Sequence, residues 1–216
     1  MGLPQLHTYS AQQEVFIARQ PIFGRDLEVY GYELLFRAGA ENEFDGTDAD
    51  VATSQVIANT FLTIGAEKLL NGKRAFINFG QNMFRPRIGD LLPSRSMVIE
   101  ILENVQPTDV VLDACRELRR RGYTLALDDV DHHSDVEPWL AVVGILKVDF
   151  RNTGCEERRM LARLRRSGNL KLLAEKLESR EEFEDAVSLG YDYFQGFLFG
   201  RPEMLSGRRF RILAVG

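Results

Sequence analysis

Apolar positions along this chain follow two periods in turn, and the switching predicts an order of strands and helices. VFIARQPIF (15–23) and VYGYELLFR (29–37) are extended apolar runs separated by the turn-like GRDLE, which predicts a hairpin. Between Asp48 and Leu70 the residues Ala58, Phe61, Leu62, Gly65 and Leu69 recur at helical offsets, predicting a long helix with one buried stripe. From Arg74 onward, strand and helix alternate. RAFINF and MVIEIL read as strands, and 107–121 reads as a helix with Val111, Ala114, Cys115 and Leu118 on one face. YTLALDD follows the helix-stopping Gly122. VVGILKVDF, EERRMLARLRR and the start of LKLLAEKLE then read as strand, helix and strand. Ser179, with Glu182 three residues on, opens a last helix that stops at Gly190, and YDYFQG supplies a final short strand.

Strands alternating with helices at this spacing call for an α/β fold with a parallel sheet wrapped by helices, and the length suits a closed (β/α)8 barrel. An open doubly wound sheet would normally carry a glycine-rich phosphate turn after its first strand, and none is visible. The expected organisation is a flexible arm over 1–14, a barrel over 15–207 and a tail over 208–216. A chain of 216 residues, 44% hydrophobic, can bury one substantial core.

The net charge of -5 argues against a general attraction to nucleic acid or an anionic membrane. No apolar run reaches membrane-spanning length, no signal-peptide core precedes the strands, and Cys115 and Cys155 lack metal spacing, so a cytoplasmic protein is expected. His132 and His133 read as part of a polar loop rather than a zinc site, because no further Cys or His lies at ligand spacing. Phe194, Phe197 and Phe199 read as core.

The stretch VIEILENV (98–105) poses the chemical question. Glu100 stands inside a run apolar enough to be covered on both faces, and a carboxylate there must be paired, metal-bound or neutralised. Similar residues recur near the ends of the other strands: Glu33, Asn78, Asp128 with Asp129, Lys147 with Asp149, Glu175 and Gln195. One carboxylate at a strand end is most often a helix cap or an ion-pair partner; a whole set is harder to assign that way. In a barrel the carboxyl ends of the strands meet at one mouth. Carboxylates and an amide gathered there suit Mg²⁺, Mn²⁺ or Ca²⁺. Two such ions about 4 Å apart can clamp a phosphodiester and activate a water for in-line attack. Lys147 would be the cation within an acidic ring.

Taken in order, the motifs RQPIF, GYELLFR, INF, IEILE, LDD, LKVD, AEKLE and QGFLFGRP resemble the EAL domain, a bacterial phosphodiesterase module that opens cyclic di-GMP. The resemblance covers about residues 15 to 204. In wording the chain looks closest to EAL domains joined to an HDOD domain. The resemblance implies a modified barrel with one strand running against the others, with Glu33, Asn78, Glu100 and Asp128 as metal ligands. Asp129 would serve the second ion, and Glu175 would also contribute to the metal centre. It implies Lys147 in contact with the attacking water and Gln195 near it, Arg37 on a ligand phosphate, and Gln20 and Pro21 beside the nucleotide. Glu103, Asp149 and Glu178 would be supporting residues. The implied cofactor is Mg²⁺ or Mn²⁺, with Ca²⁺ inhibiting. The implied partners are cyclic di-GMP, a second copy in a homodimer, and an attached or partner HDOD-like domain.

The chain departs from the family pattern at Leu34, where the name-giving motif has alanine, and after the double aspartate, where VDHHSDVEPWL replaces a glycine-bearing loop. The segment between Arg37 and Asn78 is also short. The functional expectation is a metal-dependent phosphodiesterase yielding linear pGpG with weak activity. The alternative is an inactive cyclic di-GMP receptor or a protein-interaction module.

Overall fold

The computed structural model describes residues 15–37, 69–84, 96–131, 133–165 and 169–207. Its strands are β1 (Val15–Gly24), β2 (Val29–Arg37), β3 (Arg74–Phe79), β4 (Met97–Ile101), β5 (Thr124–Val130), β6 (Ile145–Asp149), β7 (Lys171–Glu175), β8 (Tyr193–Phe194) and β9 (Glu203–Gly207). The α-helices lying wholly within the described residues are α1 (Asp109–Arg120), α2 (Cys155–Leu164) and α3 (Arg180–Ser188). Strands β2 to β8 pair in parallel in chain order, and β1 closes the ring by pairing antiparallel with both β2 and β8. The expected barrel with one reversed strand is therefore present. The helix expected over 48–70 and the arm over 1–14 fall outside the described residues, apart from Leu69 and Leu70.

Local chemistry sets the element ends. The Thr108 hydroxyl caps α1 by accepting from Val111 N, and Gly122 at φ 91° turns the chain back into β5. Ser179 and Glu182 form the anticipated reciprocal capping box on α3, which ends before Gly190 at φ 89°. β6 starts three residues later than expected, because Val142 and Val143 finish a turn, buried but unpaired with the sheet.

One strand escaped the sequence reading. β9 runs along β1 from Val15↔Gly207 to Arg19↔Glu203, on the same side that β8 occupies at Phe23 and Gly24. It covers an edge that two-residue β8 leaves open. Pro21 falls in the gap between these two partners, where a missing N–H costs least.

Alternation along the strands builds two apolar layers. Outward residues such as Ile77, Ile99, Leu146 and Leu172 join Cys115, Leu118, Leu161 and Ala186 from the helices in one core. Burial pushes the Cys115 thiol up to about 12, which suits packing rather than chemistry. Inward residues Ile22, Phe76, Val98, Ala126, Ile145 and Leu173 plug the barrel, with Tyr30 and Tyr193 against them. Gly31 is required beside this plug, since a Cβ there would lie 2.8 Å from the Phe76 ring.

Candidate metal and active site

Two positions beyond the plug, on the same inward face, stand the residues singled out from the sequence. Phe76 leads to Asn78, Val98 to Glu100, Ala126 to Asp128, Ile145 to Lys147, Leu173 to Glu175 and Tyr193 to Gln195. On the reversed β1 the step runs backwards, from Ile22 to Gln20, and Gln20 pairs in register with Glu33. Period-two geometry thus converts scattered residues into one ring on an apolar floor. The ring opens into a cavity of about 380 Å³ lined by Gln20, Glu33, Asp128, Asp129, Glu175 and Gln195, together with Arg151, Lys176, Glu178 and Phe197.

Adjacent Asp128 and Asp129 both face this cavity, which a regular strand forbids. The β5–β6 register slips between Leu127 and Val130, and Asp129 adopts φ 46°. A bulge therefore turns both carboxylates the same way. Lys176, at φ 57°, does likewise after Glu175. Asp128, Asp129 and Glu175 can each bring one oxygen within 4.8 Å of the others.

Lys147 is the hub below them. It is 1% exposed and ion-pairs with Glu100, with Asp128 at 2.5 Å and with Glu175 at 3.0 Å. Burial alone would lower its pKa, but the charges of Asp128, Glu100, Glu175 and Glu33 outweigh burial and hold it well above the ordinary lysine value. Glu100, fully buried, is raised well above the carboxylate range by burial, which Lys147 only partly offsets and which Glu33 and Asp128 reinforce. Glu175 is raised to about 8, again by burial first, with Lys147 opposing and Asp128, Asp129 and Glu33 adding. One buried ammonium is too little charge for this many carboxylates. Glu100 Oε2 and Glu175 Oε2, both buried, find no hydrogen-bond partner among the described residues.

Gln195 donates to Glu33 Oε2 at 2.6 Å and to Gln20 Oε1 at 3.3 Å, and Gln20 in turn donates to the Gly200 carbonyl. Asp149 accepts from the backbone of Arg151 and Asn152 and from Lys176. Burial would raise it, but the hydrogen bonds from Lys176 and Arg151 hold its carboxyl below the ordinary value. Glu178 pairs with Arg151 at the cavity wall, whereas Glu103 is exposed in the turn after β4 and does not line the cavity. Asn78 is half-buried and lies opposite Glu100 in the β3–β4 register. Arg37 ends β2, and its side chain lies outside the described ones.

The loop after the double aspartate is held by Asp131, whose carboxylate accepts from His133 N and the Ser134 hydroxyl, and by buried Trp139. His132 lies outside the described residues. The aromatic trio divides: Phe194 is core and Phe199 packs on Phe23 and Phe183, but Phe197 is 54% exposed at the cavity with Arg201 over its ring. The expectation that all three are core is corrected for Phe197. Lys176, Arg151 and Phe197 were missed by the sequence reading; the available signal was their place one or two residues after a strand-end acid or amide.

No protein-family model matches the chain. Two curated relatives are each 40% identical over 198 residues, which is 89% of this chain. One of them is the cyclic di-GMP phosphodiesterase CdgJ of Vibrio cholerae. The chain spans about half the length of these relatives, 48% and 45%. Among solved structures, Bacillus subtilis YkuI, a protein with an EAL domain in complex with cyclic di-GMP and calcium, aligns with TM-score 0.70 at 19% identity. That alignment covers 90% of this chain and 56% of YkuI. Klebsiella pneumoniae BlrP1, solved with manganese and cyclic di-GMP, aligns with TM-score 0.72 at 22% identity, over 94% of this chain and 59% of its own. With its reversed first strand and its ring of strand-end carboxylates, this chain has the EAL-domain fold.

Proposed function

We propose that this barrel is a divalent-metal-dependent phosphodiesterase that opens cyclic di-GMP to linear pGpG with weak activity. The observation that carries the reading is the ring of acids one layer above the plug, with two buried carboxylate oxygens lacking partners among the described residues. The substrate is taken from the name of the 40% identical CdgJ and from the ligand of the structural neighbours.

The donor set fits a hard cation, since it consists of carboxylate and amide oxygens. Glu33, Asn78, Glu100 and Asp128 would hold one ion, and Asp128, Asp129 and Glu175 a second. Mg²⁺ or Mn²⁺ is the proposed cofactor, with the larger Ca²⁺ supporting binding and inhibiting turnover. When bound, such ions acidify a water and stabilise charge on phosphoryl oxygens. The chain's own groups do the rest. Gln195 fixes the Glu33 carboxylate, and its buried Oε1 has no partner among the described residues, so it can accept from a water in the cavity. Lys147 gathers Glu100, Asp128 and Glu175 around one ammonium, and its charge only partly offsets the burial that raises Glu100 and Glu175. Gln20 and Arg37 are assigned to the nucleotide, and Phe197 offers an aromatic face at the rim.

A second reading, binding without turnover, is favoured by the lysines already seated on the carboxylates. Calorimetric titration with cyclic di-GMP in Ca²⁺, followed by product analysis in Mn²⁺, separates the two. Heat with linear product supports the enzyme, heat alone supports the receptor, and neither overturns both.

A further inference from the structure

Each carboxylate of the Asp128, Asp129 and Glu175 cluster already carries an ammonium group of this chain. Lys147 lies on Asp128 and Glu175, and Lys176 Nζ lies 2.6 Å from Asp129 Oδ1. The two lysines differ in freedom. Lys147 is buried in the floor, whereas the Lys176 side chain is 45% exposed on the wall and can swing into solvent.

Lys176 is delivered to Asp129 by a specific device. Its φ of 57° is a left-handed conformation that a non-glycine residue rarely adopts, and that turn brings Glu175 and Lys176 to the same cavity. Asp149 Oδ2 grips the same ammonium at 2.8 Å, and Asp149 is itself fixed by the backbone of Arg151 and Asn152. Meanwhile Glu175 Oε2, on a carboxylate 5% exposed, has no partner among the described residues. The cluster therefore still has room for a cation, but one of its ligands is engaged.

We propose that Lys176 is a built-in competitor for the divalent cation at Asp128, Asp129 and Glu175, making that ion the weaker of the two. The inference rests on the two-ion reading above. An ammonium and a divalent ion compete for the same Asp129 lone pairs and repel each other, so the incoming ion must push Lys176 outward. Removing the ammonium strengthens that ion's binding, and keeping a positive charge there does not.

The test is Mn²⁺ titration of nucleotide-free protein, by calorimetry and by electron paramagnetic resonance counting of bound ions, on wild type, Lys176→Met and Lys176→Arg. Lys176→Met is expected to tighten the weaker ion on the order of tenfold, the scale on which partners of ligands tune metal affinity. Lys176→Arg should bind like wild type. Lys176→Gly, whose residue tolerates φ 57° without strain, gives a second neutral variant should the methionine variant fold poorly. Equal or weaker binding of that ion in the neutral variants overturns the inference. If no variant and no wild-type sample binds Mn²⁺, the metal centre itself is wrong and this inference falls with it. If Mn²⁺ binds but cyclic di-GMP is not cleaved, the phosphodiesterase reading fails while the titration still decides the role of Lys176.

Discussion

Gln195 Nε2 donates to Glu33 Oε2 across 2.6 Å, joining positions 162 residues apart at the seam where the reversed strand closes the barrel. The bond fixes which way the Glu33 carboxylate faces. Gln195→Leu is therefore expected to lower Mn²⁺-dependent cleavage of cyclic di-GMP about 10- to 100-fold. Glu33→Ala should abolish it. Product formation followed by chromatography checks both, and a Gln195→Leu protein cleaving at the wild-type rate would show that Glu33 needs no such brace.

Lys147→Met leaves Glu100, Asp128 and Glu175 facing one another without their shared ammonium. The metal-free variant should lose about 3–5 kcal/mol, the usual consequence of breaking a buried ion pair from one side. Mn²⁺ should return part of that loss by binding the folded state alone. Urea denaturation with and without Mn²⁺ measures both effects; equal stability of variant and wild type without metal would contradict the role assigned to Lys147.

Burial lifts the Glu175 carboxyl from its ordinary 4.5 to about 8 in the metal-free fold. Between those values the folded protein keeps a proton that the unfolded chain has released, so this group's contribution to stability falls as pH rises through the window. Mn²⁺ must displace the same proton, so its apparent affinity should climb up to about pH 8. Glu175→Gln should flatten the stability difference across that range, and an unchanged pH profile in this variant would remove Glu175 from the account.

Gly196 has φ 154°, and a Cβ there would lie 2.1 Å from the Leu177 carbonyl oxygen. Backbone meets backbone, so no side chain can yield. Gly196→Ala should cost about 2–4 kcal/mol. It should also displace Gln195, whose carbonyl accepts from Leu177 N. Thermal unfolding checks the first expectation and loss of activity in the still-folded fraction the second.

Glu100 and Lys147 were legible in the sequence because a charged residue inside an apolar strand contradicts its surroundings, and alternation then places it on a definite face. Lys176 was not legible, since a lysine after a strand end looks like ordinary surface until its left-handed backbone is known. The bulge that lets Asp128 and Asp129 share a cavity is equally hidden: strict alternation would turn one of two adjacent acids outward, and it was the family resemblance that assigned Asp129 to a metal ion. β9 was missed because EMLSG has no alternation of its own, and it becomes a strand only through the edge that β8 leaves uncovered.

That β9 edge gives the barrel a mechanical weak point. Val15 and Gly207 face each other at the same end of an antiparallel pair, so tension between whatever enters at one and leaves at the other strips the ladder one rung at a time instead of shearing it all at once. Unzipping runs from Val15 to Arg19 and stops short of the rungs that β8 holds at Phe23 and Gly24. The next residue along is Gln20, on the cavity wall, so a pull from outside arrives at the seam of the ring before it reaches the sheet that carries the acids.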